Sequence, residues 1–111
     1  MRAAAVRRIA LGLPEAAERE TWGEATFRVR DRIFVMLSPD GSRASVKASL
    51  DEQAALVGSD PETFAVAEYT GRFGWVSVTL SRVDPDEMRE LVVDAWRRTA
   101  PRRLVAAYES A

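Results

Sequence analysis

The chain has 111 residues, of which 47% are hydrophobic and 30% charged, so it is long enough for one domain with its own core. Its net charge of −1 argues against a protein that binds nucleic acid over its whole surface. Cysteine and histidine are both absent, which excludes disulfides, thiolate chemistry, Ser-His-Asp triads and the commonest metal ligands. We therefore expect a single domain over residues 1–111 that does not depend on these chemistries.

Apolar runs are short throughout the sequence. Arg7 and Arg8 interrupt the first of them and leave only Ile9–Leu13, which is too short for the apolar region of a signal peptide. No other run approaches the length of a membrane span. We expect a cytoplasmic protein without a membrane partner.

The N-terminal quarter predicts one helix and one strand. Apolar residues recur at helical spacing over residues 2–12, and Gly12 and Pro14 end the pattern. The acidic segment Glu15–Glu24 follows, and we expect an edge strand within it.

The segment Trp22–Leu37 predicts a β-hairpin with strands over residues 25–30 and 32–38. With Asp31-Arg32 as a two-residue turn, side-chain alternation places four apolar residues on one face. Arginines then fall on the opposite face. The four apolar residues are Phe27, Val29, Phe34 and Met36.

The middle of the chain predicts two further strands and a short helix. Residues 43–48 and 75–82 alternate in the manner of strands. Between them, Ser49 and Glu52 form a capping box that starts a helix over residues 50–57, with Gly58 ending it. Residues 59–74 are the least regular, and we expect Phe64, Val66 and Tyr69 to anchor them on the core.

The C-terminal part predicts the longest helix, residues 85–99. Asp84 is suited to cap it and Pro85 to occupy its first position. Pro101 ends it and begins a last helix. We expect a shared core, and the simplest interpretation of all three tryptophans is that they are core aromatics. The core prediction names Phe27, Val29, Phe34, Met36, Val78, Leu91 and Trp96.

Basic residues on and near the hairpin suggest a nucleic-acid contact. Arginines at a hairpin tip can contact phosphates, and Trp75 or Phe73 could stack on an exposed base. The alternative is that the arginines are the solvated face of an antiparallel sheet. The candidate DNA-binding residues are Arg28, Arg30, Arg32, Arg43, Lys47, Arg72 and Trp75.

Four glutamates offer a second candidate site. Oxygen ligands can hold hard cations, but scattered carboxylates with Arg19 among them are also typical of an ordinary surface. No pairing of a nucleophile with a base is evident, so we expect no catalytic residue, no metal site and no cofactor. The glutamates are Glu15, Glu18, Glu20 and Glu24.

The order of several short segments resembles the MmcQ/YjbR-like family. The resemblance spans nearly the whole chain, although Asp31 stands where that family often has glycine. It implies an α+β fold, an antiparallel sheet backed by helices, similar to the bacterial frataxin homologue (CyaY-like), and a double-wing DNA-binding motif. The segments are Leu13-Pro14-Glu15, Trp22-Gly23, Thr26-Phe27-Arg28-Val29, Arg32-Ile33-Phe34, Gly71-Arg72-Phe73-Gly74-Trp75-Val76 and Ala100-Pro101-Arg102-Arg103-Leu104.

Together these patterns favour a small binding module that is not an enzyme. DNA is the leading partner, through the arginine-bearing hairpin. The alternative is a protein-interaction or metal-handling domain with a frataxin-like fold.

Overall fold

The structure, a computed structural model, describes residues 1–111 and contains one six-stranded sheet and four α-helices. The strands lie in the order β1-β2-β3-β4-β6-β5, and every neighbouring pair is antiparallel. The predicted α+β class is confirmed. The elements are α1 (Ala3–Leu11), β1 (Ala16–Thr21), β2 (Glu24–Val29), β3 (Arg32–Leu37), β4 (Arg43–Val46), α2 (Leu50–Ser59), β5 (Phe64–Val66), β6 (Val76–Thr79), α3 (Pro85–Thr99) and α4 (Arg102–Glu109).

The predicted hairpin is present as β2 and β3, but its turn lies one residue earlier than predicted. Val29 pairs with Arg32, so the two turn residues are Arg30 and Asp31. Both have positive φ, 50° and 68°. This is the backbone of a type I′ turn, whose twist matches that of the flanking strands.

A β-bulge changes which residues of β3 reach the core. The register shifts after Phe27, which pairs with Val35, and Phe34 has no partner on β2. Phe34 and Val35 are consequently both buried, and alternation then places Leu37 on the core side. Met36 lies on the opposite face and is only half-buried. The prediction that Met36 belongs to the core is therefore wrong.

The core lies between one face of the sheet and the helices α1 and α3. Trp96 of α3 is fully buried there, and Tyr108 of α4 packs against it edge-on with ring centroids 5.1 Å apart. Apart from Met36, the predicted core is confirmed. Its buried members are Phe27, Val29, Phe34, Val78, Leu91 and Trp96.

The helix starts follow the predicted capping chemistry. The Ser49 hydroxyl accepts a hydrogen bond of 3.0 Å from the backbone N–H of Glu52. The Asp84 carboxylate accepts one of 3.0 Å from the N–H of Glu87. These bonds satisfy N–H groups that a helix leaves without an internal partner. The bounds of α3 agree with the prediction, whereas α2 continues one residue beyond Gly58.

The irregular segment contains one strand that was not predicted, β5, and a 3-10 turn at Thr70–Phe73. Phe64 is buried, but Val66 and Tyr69 are exposed. The predicted anchoring is therefore correct only for Phe64. None of the four α-helices combines the length and the apolar composition that a membrane-spanning helix needs.

Candidate nucleic-acid interface

The strand order brings three of the predicted basic residues to one end of the sheet. The start of β3, the end of β4 and the start of β6 lie side by side, because each strand is antiparallel to its neighbour. Arg32 begins β3, Lys47 directly follows β4, and Arg72 lies shortly before β6. Residues far apart in the chain therefore share one end.

The last turns of α3 add a fourth cation, Arg98. Partial burial and the positive charges of Arg32 and Arg98 hold the pKa of Lys47 below its ordinary value. Arg98 has a carboxylate partner, Glu52, at 3.1 Å, whereas Arg32, Lys47 and Arg72 have none. We call the set Arg32, Lys47, Arg72 and Arg98 the basic end.

An exposed aromatic ring accompanies these charges. Phe73 is exposed, and the guanidinium carbon of Arg72 lies 4.8 Å from the centre of its ring. The Gln53 amide holds the segment in place by donating to the carbonyls of Gly71 (2.7 Å) and Trp75 (2.8 Å). The backbone is thereby fixed while the ring stays in solvent.

Trp75 does not offer a ring for stacking. It is only 8% exposed and lies directly before β6. The prediction that Trp75 could stack on a base is therefore corrected, and Phe73 is the available aromatic residue at this end.

Two of the predicted arginines already have partners within the protein. Arg28 lies flat on the sheet, 16% exposed, and donates to the hydroxyls of Thr26 (3.2 Å) and Thr21 (2.9 Å). Arg30 donates through Nε and Nη2 to the carboxylate of Glu15, and this hydrogen bond lowers the pKa of Glu15. A ligand at either position competes with bonds that exist already.

Arg43 lies at the opposite end of the sheet, where β4 begins. Its Nε donates to the Ser77 hydroxyl at 3.1 Å. The structure thus separates Arg43 from the basic end. Arg98, which the sequence analysis missed, takes a place there because α3 packs across β3 and β4. In the sequence, only the apolar face of α3, which predicts that the helix packs on the sheet, could have indicated the position of Arg98.

The segments that carry the family resemblance all belong to this single α+β domain. A family model described as YjbR matches residues 11–98. The chain belongs to the YjbR family. The crystal structure of Deinococcus radiodurans protein DR2400, described as having a DUF419 domain, is similar to it, with a TM-score of 0.76 and 22% identity. The alignment covers 82% of this chain and 72% of that one, and it shows a common fold. A comparison with curated proteins finds no match.

This YjbR chain also has a groove on the sheet face away from α1 and α3. Met36, Ser45 and Ser77 form a row across its floor, since they pair in register on β3, β4 and β6. The groove encloses about 510 Å³. We call it the open-face groove; it is lined by Glu24, Met36, Ser38, Arg43, Ser45, Val66, Glu68, Tyr69, Thr70 and Ser77.

Tyr69 stands at this groove in a strained conformation. Its φ is 62° and its ψ −55°, and the N–H of Thr70 donates to the carbonyl of Glu68 at 2.6 Å. This is a γ-turn with positive φ, which costs a non-glycine residue on the order of 1–3 kcal/mol. The side chain is 91% exposed, so the ring itself does not hold the turn; the buried Ala67 and Gly71 on either side do, joined by a backbone hydrogen bond of 3.0 Å.

Trp22 is likewise outside the core. It forms the turn between β1 and β2 with Gly23, at φ values of 55° and 83°, and it is 98% exposed. The prediction that Trp22 is a core aromatic is wrong. The sequence feature that could have indicated this position is the Trp-Gly pair between two strand-like segments. A two-residue hairpin turn requires positive φ at both positions, and glycine adopts it readily.

The four glutamates that formed the second candidate site, Glu15, Glu18, Glu20 and Glu24, do not act as one group. Glu15 binds Arg30, and Glu18 binds Arg7 on α1 at 2.9 Å. No group of three or more acidic side chains lies close enough together to hold a metal ion.

Proposed function

We propose that this YjbR-family chain is a non-enzymatic, cytoplasmic binding module that contacts the phosphate backbone of DNA through its basic end. One observation carries the proposal. Four cations from separate segments of the chain lie at the same end of the sheet, and one of them, Arg72, lies over the ring of the exposed Phe73.

The charge balance of this end supports an anionic ligand. Only Arg98 has a carboxylate partner, so no ion pair within the protein neutralises Arg32, Lys47 or Arg72. Like charges held together in the folded protein repel one another, and that repulsion is relieved when an anion binds among them. Phosphates of a nucleic acid are spaced to meet several cations at once.

The exposed ring supports a ligand that also presents flat apolar surface. Phe73 carries the Arg72 guanidinium over its ring, and such a pair can lie against a base or a sugar. Phosphate contacts by the cations would fix the orientation of the ligand, while the ring adds contact without sequence preference.

The hairpin tip itself contributes less than the family resemblance implies. Arg30 is held by Glu15, and Asp31 forms an ion pair of 3.0 Å with Arg19. The charges of the tip are therefore compensated within the protein. We assign the contact to Arg32, which directly follows the turn, and to Lys47 on the neighbouring segment after β4.

Fluorescence anisotropy with a labelled mixed-sequence duplex of about 20 base pairs tests the proposal at several salt concentrations. With three uncompensated cations, the slope of log affinity against log salt should be roughly −3, since each phosphate contact contributes about 0.9. Arg32→Gln and Lys47→Gln should each weaken binding and reduce the slope by about one.

Arg43→Gln is the matched control, because Arg43 is an exposed arginine at the other end of the sheet. It should leave both affinity and slope unchanged. Binding weaker than about 100 μM at low salt, the weak end of ordinary non-specific affinities, would reject the proposal. Equal losses in the Arg43 and Lys47 variants would reject the assigned site.

A further inference from the structure

The open-face groove carries charges that the protein leaves without partners. Glu24 and Glu68 contribute carboxylates and Arg43 a guanidinium, and none of the three takes part in an ion pair. The charged side chains that line the groove therefore have a net negative charge, opposite in sign to that of the basic end. A ligand that fits this groove carries a cation.

Tyr69 adds a surface suited to a cation. Its ring is almost fully exposed at the groove, where the γ-turn beside Glu68 holds it. An ammonium or guanidinium group is attracted both by the face of an aromatic ring and by a nearby carboxylate. Strained backbone of this kind is a recurrent feature of binding sites.

Arg43 supplies the complementary donor. Its Nε is engaged by Ser77, which orients the guanidinium and leaves the other N–H groups free. Those groups suit a carbonyl or carboxylate oxygen. The ligand thus has an oxygen acceptor close to its cation, as a basic residue has in a polypeptide.

We propose that the open-face groove binds an extended segment of a partner protein that presents a lysine or arginine side chain between Glu24 and Glu68. Trp22 favours a polypeptide over a free amine. It lies two residues before Glu24, outside the groove lining, and is fully exposed. A ligand must extend beyond the groove to use it, and exposed tryptophan and tyrosine are frequent anchors of protein interfaces.

Amide chemical-shift titration of the whole protein with a blocked peptide, Ac-Ala-Leu-Lys-Leu-Ala-NH2, tests this inference. Saturable shifts are expected at Ser45, Glu68, Thr70 and Ser77. The same peptide with norleucine in place of lysine keeps the length and removes the charge. Its affinity should be lower by at least about fivefold, since it loses both the ion pairs and the cation–π contact.

Variants locate the site. Glu68→Gln and Tyr69→Ala should each lower the affinity for the lysine peptide several-fold, and Trp22→Ala should lower it as well. Glu90→Gln is the matched control, because Glu90 is an exposed glutamate on α3 that has no ion pair and lies outside the groove. It should leave the peptide affinity unchanged.

Three results would overturn the inference. They are equal affinity for the norleucine peptide, shifts that map outside the groove, and free L-lysine binding as tightly as the peptide with no effect of Trp22→Ala. The last would assign the groove to a small amine. DNA binding at the basic end uses other residues, so either proposal can fail without the other.

Discussion

The indole Nε1 of Trp96 donates a hydrogen bond of 3.1 Å to the carbonyl oxygen of Pro14. It joins the end of α3 to the connection between α1 and β1, 82 positions earlier in the chain. The ring itself is fully buried and meets Tyr108 edge-on. One side chain thus ties the two helices of the core layer and the last helix together.

Trp96→Ala should destabilise the protein by about 3–5 kcal/mol, the usual range for a large buried aromatic residue. Trp96→Phe keeps most of the packing but leaves the Pro14 carbonyl without its donor, so it should lose less than the alanine variant. Urea denaturation of the three proteins measures the difference. An unchanged midpoint in the alanine variant would contradict the role of Trp96 in the core.

Two glycines should respond to alanine with opposite signs. At Gly74, φ is 103° and an added Cβ would lie 2.6 Å from the carbonyl oxygen of Ala48, so Gly74→Ala should destabilise by about 2–4 kcal/mol. Gly58 lies within α2 with nothing near its Cβ position, so Gly58→Ala should stabilise by about 0.5–1 kcal/mol. Thermal melts of both variants check the pair, and a shift in the same direction would refute the explanation.

A substitution of Lys47 should lower the affinity for DNA without lowering the stability of the fold. Lys47→Met keeps the length of the apolar stem and removes a charge that Arg32 and Arg98 repel. We expect unfolding free energy to stay equal or rise by up to about 0.5 kcal/mol, while affinity for duplex DNA falls. Denaturation and anisotropy on the same preparation measure both. A destabilised variant would show that Lys47 contributes to the fold instead.

Asp40 should titrate unusually low. Its Oδ1 accepts from the N–H of Ser42 (3.0 Å) and from the hydroxyls of Ser42 (2.7 Å) and Ser38 (2.8 Å), and the backbone bond leads in lowering its pKa to about 2. Carboxyl-carbon NMR should find that midpoint. Ser42→Ala removes one hydroxyl donor, so the midpoint should move up toward the ordinary 3.8.

The stability linked to Asp40 has a defined pH range. Because the folded-state pKa lies below the unfolded one, the contribution is complete above the unfolded pKa, near 3.8, and is lost as pH falls through about 2. Asp40→Asn should remove this part of the acid sensitivity. A variant whose stability falls just as steeply between those pH values would contradict the assignment.

Tyr69→Gly should relieve strain without disturbing the core. Glycine adopts positive φ readily, although it adds disorder to the unfolded chain, so unfolding free energy should stay unchanged or rise by about 1–2 kcal/mol. Calorimetry measures this. A loss of stability would mean that the exposed ring makes contacts that hold the loop.

Much of the fold was predictable because local signals agreed with it. The caps at Ser49 and Asp84 and the strand alternation around the hairpin correspond to the observed elements. Met36 was misplaced because the bulge at Phe34 shifts the alternation by one residue, and nothing in the local sequence marks the bulge. Strand β5 is only three residues long, too short to give a periodic signal.

The candidate site was less predictable, since it depends on distances between elements. Arg32, Lys47 and Arg72 were named from the sequence, and the strand order does bring them to one end. Arg98 became a neighbour only through helix packing. The ion pair of Arg30 with Glu15 joins two strands, and the burial of Trp75 depends on the sheet around it, so neither could be predicted from spacing.

The charges along β1 bear on how copies of this protein meet. Its outer edge leaves backbone hydrogen-bonding groups free, and a second copy related by a two-fold axis could add there. In a register centred on Arg19, however, the two Arg19 side chains would face each other and Glu18 would face Glu20. Like charges directly opposite oppose pairing. That register is thereby disfavoured, so two copies that met edge to edge along β1 would have to pair in a shifted one, with Arg19 opposite a glutamate.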